Sequence, residues 1–356
     1  MSRIQHKRAH HARLAIKLTS ESATVGNTHV IPCYEPKMAG PDGTQIDYNA
    51  MRDVRAASPG AVNMVHRKFS DKIPLFLPYS TSEVASLTSL FEKILSPAGM
   101  DKTSILVGGG EEADGSKFIS SDLASADNYK SAVLCYEEVK SREIMALCQS
   151  EFSINLDTAG ACELAYEFMG SDAGIFDYLG GGNWTPAMNS ATCQTELFSY
   201  PSIVGVKPVF RNAEFLITPL DDSISDYLAV KTYNFTMGNQ LALRDDGCAE
   251  NGIAGVSLGG LLTNQSHKMS VEMPAGHSSF PYQTYFKEGT LLKYTITLLG
   301  NSTGRFGIRL KGVLKVNTAV DRGERNNIRT IDITGVGVQG NDMLPPFEFI
   351  IGGALT

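Results

Sequence analysis

The fold class is decided by the stretch Thr290-Leu-Leu-Lys-Tyr-Thr-Ile-Thr-Leu-Leu-Gly-Asn-Ser-Thr-Gly-Arg-Phe-Gly-Ile-Arg-Leu310. Apolar and polar residues alternate on both sides of the turn-forming run Gly300–Gly304, and this period of two is typical of half-buried strands. The stretch therefore predicts a long antiparallel hairpin with one apolar face. The opposite face is predicted to be basic and to carry Lys293, Arg305, Arg309 and Lys311. A hairpin alone is marginal in water, so its apolar face needs a second sheet.

A second hairpin is predicted between Glu151 and Phe168. Apolar residues occupy every other position before and after the turn Asp157-Thr-Ala-Gly160, which again is the period of a strand. The polar positions of this hairpin include Glu151, Glu163 and Glu167. Its exposed face is therefore predicted to be acidic, in contrast to that of the first hairpin.

One amphipathic helix is predicted at about residues 82–95. Ser80-Thr-Ser-Glu83 has the form of a capping box, apolar residues follow at helical spacing, and Pro97 and Gly99 end the helix. Further strands are predicted at 14–18, 63–79, 227–243, 331–333 and 347–351. A change of parity between Val230 and Tyr233 predicts a β-bulge. Strands do not alternate with helices, so the chain is predicted to be mainly antiparallel β with one flanking helix.

The sequence predicts a basic, flexible tail followed by one domain. Residues 1–13 are basic and histidine-rich, and residues 14–356 are predicted to form the single domain. Long loops are predicted where glycine, proline, serine and aspartate are frequent, at about 35–60, 104–130 and 170–199. Long ordered loops in compact domains usually contact a partner.

Composition limits the class of protein. The 356 residues carry a net charge of −7, which argues against a tightly held nucleic acid. No apolar run reaches the ~18–20 residues that cross a bilayer, and the first residues lack the apolar core of a secretory signal. The six cysteines form no C-x-x-C pair. Cys135, Cys148 and Cys162 lie in strand-like runs and are predicted to be free thiols, which favours a reducing, cytosolic folding compartment.

No convergent catalytic set is found, and the sequence predicts no enzyme, no metal site and no cofactor. Gly255-Val-Ser-Leu-Gly259 matches the nucleophile elbow of Ser hydrolases, with His267 or His277 as base and Asp245 or Asp246 as the residue that orients it. That elbow needs a buried strand before it and a helix after it, whereas a turn-like run precedes it here. Asp157-Thr-Ala-Gly160 resembles an aspartic protease loop but has no second copy.

The order and spacing of these elements resemble the major tail tube proteins of long-tailed, siphophage-type bacteriophages. The resemblance runs from about Leu14 to Ile351 and rests on no single diagnostic motif. Its specific points are Arg52–Pro59, the strand ending at Tyr79 that leads into the helix Glu83–Leu95, the hairpin Phe152–Gly170, the run Tyr233–Arg244, and Thr330–Phe349 with Gly340-Asn-Asp342. The Gly/Ser run that often precedes the helix in the family is replaced here by Pro78-Tyr-Ser-Thr81.

The resemblance implies a tail-tube-type β-sandwich or barrel whose subunits close into rings, typically homohexamers. Such rings stack around a tape-measure protein into the hollow tube that conducts the genome to the host. A tail terminator and a distal tail protein are the implied end partners, DNA passes without specific contacts, and no membrane partner is implied. The implied location is the virion, after assembly in the host cytoplasm. Another capsid or baseplate β protein is the alternative, followed by a Ser hydrolase.

Three hypotheses about surfaces follow from this resemblance. Glu151, Glu163 and Glu167 are expected to face the bore, because an acidic lining repels phosphate whereas a basic one would retain DNA. The basic face of the first hairpin is expected to contact a neighbouring subunit. The loops 35–60 and 104–130 are expected to join stacked rings. The open alternative is that both charged faces are only solvated.

Overall fold

We describe the fold from a computed structural model of the chain. The structure describes residues 12–40, 42–46, 61–105, 113–120, 131–138, 141–157, 162–180, 183–186, 193–194, 196–201, 205, 213–220, 226–227, 229–238, 242–243, 256–257, 266–272, 285, 287–317, 321–325, 328–338 and 344–355.

Antiparallel strands dominate the described residues, as the sequence predicts. In chain order they are β1 (Arg13–Leu18), β2 (Val30–Ile31), β3 (Lys37–Met38), β4 (Asp42–Ile46), β5 (Ala61–Pro74), β6 (Met100–Ile105), β7 (Ala113–Ser120), β8 (Ala132–Glu137), β9 (Ser141–Asp157), β10 (Glu163–Gly180), β11 (Asn183–Pro186), β12 (Ala213–Pro219), β13 (Asp226–Tyr227), β14 (Ala229–Gly238), β15 (Ala242–Leu243), β16 (Val256–Ser257), β17 (Ser266–Glu272), β18 (Leu291–Asn301), β19 (Phe306–Val316), β20 (Asp321–Arg325), β21 (Ile328–Gly337) and β22 (Phe347–Gly353). The helix α1 is Thr81–Leu95.

Twenty of the strands form one hydrogen-bonded sheet, and β15 and β16 form a separate ribbon. The main order is β3–β5–β10–β9–β14–β17–β21–β19–β18–β12–β13. One branch starts at β9 and has the order β8–β1–β2. A second branch starts at β19 and has the order β22–β7–β6. The sheet therefore branches at β9 and at β19.

The sheet folds back on itself, so that β9 and β14 face β18 and β22 across the core. The rings of Phe235 in β14 and Phe347 in β22 stack with centroids 3.9 Å apart. The hydroxyl of Tyr233 in β14 donates a hydrogen bond to that of Tyr294 in β18 at 3.1 Å. These contacts join strands that lie in opposite layers, and the arrangement is that of a β-sandwich.

The predicted helix is confirmed, and it closes one side of the core. Phe91 packs on Phe349 of β22, with ring centroids 5.0 Å apart. The helix ends in a short 3-10 turn and then at Gly99, whose φ of 90° is a left-handed conformation that favours glycine. The capping box is not formed as predicted. Ser80 makes no side-chain cap, and the Glu83 carboxylate instead accepts from the backbone N–H of Tyr79 at 3.0 Å.

Both predicted hairpins and the bulge are confirmed. β18 pairs with β19 around the turn after Asn301, and β9 pairs with β10. The register of β14 on β17 shifts between Val230 and Thr232, which is where the parity change predicts a bulge.

The loop predictions are partly wrong. Residues 113–120 form β7, whose Phe118 is fully buried, so 104–130 is not one loop. The predicted loop 170–199 contains the end of β10 and all of β11, and the loop 35–60 contains β3 and β4. Arg13, the last residue of the predicted tail, already belongs to β1, whereas residues 1–11 lie outside the described residues.

The described residues contain no helix that is both long and apolar enough to cross a membrane.

Candidate assembly surfaces

The predicted acidic face lies on the solvent side of β5, β10 and the second half of β9, and we call it the open face. Glu163 and Glu167 project from β10, and Glu151 lies directly opposite Glu167 on β9. β5 pairs along the other edge of β10 and brings lysines to the same side. Nζ of Lys68 lies 3.2 Å from the Glu167 carboxylate, and Nζ of Lys72 lies 3.6 Å from that of Glu163. The open face is therefore of mixed charge and is not purely acidic.

Glu151 is the acidic residue of the open face whose charge is least compensated by neighbouring lysines. Its carboxylate faces that of Glu167 across the strand pair, and like charges in this position repel. Partial burial raises the pKa of Glu151, the charge of Glu167 raises it further, and Lys68 opposes both effects. Lys68 itself is engaged with Glu167. A small excess of negative charge thus lies along the middle of the open face.

The open face is concave. It holds a cleft of about 580 Å³ between β3, β5, β10, β9 and β14. Its lining is mostly polar and includes Lys37, Ser70, Ser153, Glu151, Glu167 and Thr236. The cleft is wide, and most of its lining residues are polar, in contrast to the residues of the apolar pockets that usually hold small molecules.

Asp71 fixes one wall of this cleft. Its buried carboxylate accepts from the backbone N–H groups of Glu35 at 2.6 Å and Lys72 at 2.8 Å, and it also accepts the Tyr166 hydroxyl at 3.3 Å. Burial raises the pKa of Asp71, and the backbone hydrogen bonds oppose that rise. The contact holds Glu35 beside Lys72, whose Nζ lies 3.2 Å from the Glu35 carboxylate. This ion pair is exposed and extends the mixed charge across the cleft.

The basic face of the first hairpin differs from the prediction. Arg309 was expected to point outward, but its side chain is 1% exposed and its Nε donates to the Thr297 hydroxyl at 3.2 Å. The side chain lies between β18 and β22, beside the positions of Thr297 and Ile350. Arg305 lies in the turn and binds the Glu214 carboxylate at 3.1 Å and the backbone oxygen of Leu355. A contact of Lys293 and Lys311 with a neighbour stays a prediction.

A buried charge network that the sequence analysis missed covers the first half of β9. Arg142 donates to the Glu137 carboxylate at 2.5 Å, and both side chains are fully buried. Arg142 also donates to the backbone oxygens of Gln194 and Glu196, and its guanidinium lies 4.3 Å from the ring centroid of Phe198. These contacts hold residues 193–201 against β8 and β9. We call this region the covered face.

A second, smaller core lies under the same segment. Ala15 of β1, Cys135 of β8 and Ile144 of β9 pack with Cys193 and Phe198. The structure joins Cys135 to Cys193 by a disulfide. The prediction of a free thiol is therefore wrong for Cys135, which is bonded to a cysteine 58 residues away in sequence. The prediction is confirmed for Cys148 and Cys162. Burial raises the pKa of the Cys148 thiol.

Of the residues considered for hydrolase chemistry, the structure describes Ser257 and His267. Ser257 lies in β16, where it pairs with Ala242 of β15, and the elbow instead requires a strand that turns into a helix. His267 lies within β17, opposite Phe235 and Gly335. His277, Asp245 and Asp246 lie outside the described residues. Among the residues that the structure covers, no group of three or more His, Cys, Asp or Glu could hold a metal ion.

Several strands offer a hydrogen-bonding edge. Within the described parts of the chain, β6 pairs only with β7, and β4 pairs only with β5. The side chains of Lys102, Thr103 and Ser104 in β6 are exposed. An edge of this kind can pair with another chain, and charged residues such as Lys102 limit indiscriminate pairing.

Comparison with known proteins does not show a family for this chain. No protein-family model matches the chain, and no curated protein matches it. Among solved structures, the tail tube of phage SPP1, determined by solid-state NMR and cryo-electron microscopy, is similar with a TM-score of 0.28 and 13% sequence identity. The match covers 40% of this chain and 77% of that one. A similarity of this extent is weak and does not establish a family.

Proposed function

We propose that this chain is a structural subunit that assembles with copies of itself into stacked rings, and that these rings form the tube of a long-tailed phage. The proposal rests first on the order of sequence elements described above. The observation that carries it is an extended antiparallel sheet that keeps pairable edges at β4 and β6 and presents a concave polar face. Head-to-tail contacts between such edges close into rings, and closure removes the exposed edges.

In this proposal the open face lines the bore. Lysines that are already paired with carboxylates, as Lys68 is with Glu167, are poor ligands for phosphate, and the residual charge at Glu151 repels it. A surface of this kind neither retains nor specifically reads a passing DNA. The virion location, the tape-measure partner and the partners at the tube ends belong to the same proposal.

Negative-stain electron microscopy of the purified protein tests the assembly. Hollow tubes or rings of uniform width are the expected result. Particles of single-chain size at all concentrations would exclude a tube subunit.

Thiol labelling tests the position of the open face. With Glu151→Cys in assembled tubes, a small maleimide is expected to react, whereas a maleimide coupled to a bulky carrier protein is not. The wild-type protein gives the background from native cysteines, and dissociated Glu151→Cys chains, which should react with both reagents, serve as the control. Equal reaction of both reagents with the tubes would place Glu151 on the outer surface.

The loops expected to join rings need narrower bounds than the sequence predicts. Deleting 104–130 would remove β7 and the buried Phe118, and would therefore disrupt the core. Replacing only residues 121–130 by a Gly/Ser linker of equal length keeps β7. This variant is expected to form rings but no long tubes. A second variant, in which residues 106–112 are replaced in the same way, serves as the comparison. Tubes of normal length from both variants would contradict a stacking role.

A further inference from the structure

The disulfide of the covered face joins two cysteines that differ in their access to solvent. Cys135 lies within β8 and is fully buried. Cys193 begins the segment 193–201, which we call the cover, and it is 6% exposed. Both side chains belong to the small core under the cover. A reagent in solution therefore reaches the sulfur of Cys193 before that of Cys135.

Noncovalent contacts on both sides of Cys193 place it beside Cys135 independently of the disulfide. Before the cover, Cys193 forms a β-bridge with Val25, and the backbone N–H of the next residue donates to the Val25 oxygen at 2.9 Å. Further along the cover, the backbone oxygen of Glu196 accepts from the Arg142 guanidinium at 2.7 Å. The reduced chain is therefore expected to hold both thiols in place, so that the bond can close in the folded state.

The free cysteines that the structure describes are less suited to react. Cys148 and Cys162 are buried in the main core. Cys33 is more accessible, but burial raises the pKa of its thiol and the neighbouring Asp71 carboxylate raises it further. Since the thiolate is the nucleophile, a raised pKa makes a thiol less reactive. These three thiols can serve as internal references for the reactivity of Cys193.

We propose that Cys135 and Cys193 form a redox latch that locks the cover after assembly, with Cys193 as the site at which a low-molecular-weight disulfide reacts. The inference rests on the proposed function, in which the chain folds in a bacterial cytoplasm. Thiols are kept reduced in that compartment, and disulfides persist in oxidising surroundings. The latch is therefore open while the chain folds and assembles, and it closes when the tube leaves the cell.

The closing reaction is a thiol–disulfide exchange in two steps. The Cys193 thiolate attacks one sulfur of the dissolved disulfide, forms a mixed disulfide and expels a thiolate. The Cys135 thiolate then attacks Sγ of Cys193 and expels the second thiolate. The protons of the two cysteine thiols pass through water to the two expelled thiolates, so one disulfide is reduced for each one formed. An excess of reductant reverses these steps and opens the latch.

Trapping of the mixed disulfide tests the order of the two steps. Each variant also carries Cys248→Ser, because Cys248 lies outside the described residues. With oxidised glutathione, folded Cys135→Ser is expected to accumulate glutathione on Cys193, whereas Cys193→Ser is expected to accumulate none on Cys135. Peptide mass spectrometry locates the adduct, and the three free thiols are the references. Adducts that form on Cys135 as fast as on Cys193, or on neither, would overturn the assignment.

The reduced wild-type protein tests the latch without any substitution. After the reductant is replaced by oxidised glutathione under native conditions, Cys135 and Cys193 are expected to lose their thiols together, while Cys148 and Cys162 stay reduced. Alkylation in denaturant at successive times measures this. Closure of the bond is expected to slow deuterium exchange in the cover at least about tenfold, because the bond opposes local opening. Residues 163–168, outside the cover, should exchange equally in both forms.

The outcomes separate this inference from the proposed function, because the reaction can be followed on dissociated chains. A bond that forms only after unfolding, or a cover that exchanges equally in both forms, would overturn the latch and leave the assembly standing. Tubes assembled under reducing conditions are expected to close the bond in place, and assembly that requires prior oxidation would contradict this order. A single-chain mass at all concentrations, measured by light scattering on the same samples, would overturn the proposed function itself.

Discussion

The two halves of β9 belong to one continuous strand but have different surroundings. In the second half, Phe152, Ile154 and Leu156 are buried, while the alternate positions Glu151 and Ser153 lie on the open face. In the first half, the side chains that point away from the main core, such as Arg142 and Ile144, are buried as well. The difference comes from residues 193–201, which cover one half and leave the other accessible.

This difference changes the energetics of ion pairs. Removing one partner of a buried pair leaves an uncompensated buried charge and costs about 3–5 kcal/mol. An exposed pair is worth about 0–1 kcal/mol, because water and salt screen it. The covered half of β9 therefore depends on its charges for stability, whereas the open half can vary its charges according to function.

The largest expected effect is that of Arg142→Ala. We expect it to lower the free energy of unfolding by up to about 3–5 kcal/mol, since the buried Glu137 keeps only Arg13 and the backbone N–H of Phe198, and residues 194 and 196 lose their contacts with the guanidinium. Lys68→Ala on the open face is the matched control and should change it by at most about 1 kcal/mol. Urea unfolding of dissociated chains measures both. If the two variants lose equal stability, the halves of β9 do not differ as described.

The disulfide attaches the cover to the covered half, and its removal should have the next largest effect. Cys135 and Cys193 are separated by 58 residues in sequence, and closing a loop of this size stabilises a fold by about 2–4 kcal/mol. Cys193→Ser is expected to lower the free energy of unfolding by this amount under non-reducing conditions. Thiol titration of the denatured wild-type protein should find two fewer thiols before reduction than after it. Equal thiol counts would show that the bond does not form.

The smallest expected effect is a pH-dependent gain from Glu151→Gln. The folded-state pKa of Glu151 is raised, so the wild-type protein loses stability as the pH rises through that pKa and the carboxylate ionises beside Glu167. At pH 7 the variant should be more stable by about 0.2–1 kcal/mol, as expected for relief of an exposed like-charge pair. The gain should vanish below about pH 4, where the carboxyl is protonated in both states. Unfolding curves at pH 4 and pH 7 measure the difference in the free energy of unfolding between the variant and the wild-type protein. Lys68→Gln is the control and should show no gain in stability.

The sequence could predict which residues face the main core. Alternation identifies Phe152, Ile154 and Leu156 as buried, and helical spacing identifies α1, because these patterns depend only on local geometry. The uninterrupted apolar run Ala132–Tyr136 is a further local signal, since it indicates a strand that is buried on both faces.

The surroundings of the outer faces could not be predicted, because they depend on distant segments. The lysines that neutralise Glu163 and Glu167 come from β5, and their position follows from a strand pairing that no local pattern encodes. The cover over Arg142 comes from a segment more than fifty residues away in sequence. Arg309 was predicted to be exposed because alternation cannot show that an outer face is enclosed by its neighbours.

The central claim is that these chains complete their sheets by joining one another around a hollow centre. Light scattering coupled to size exclusion measures this directly on the purified, unmodified protein. The account predicts discrete particles whose mass is an integer multiple of 38.4 kDa, with higher assemblies as the concentration rises. A constant mass of 38.4 kDa at every concentration would contradict it.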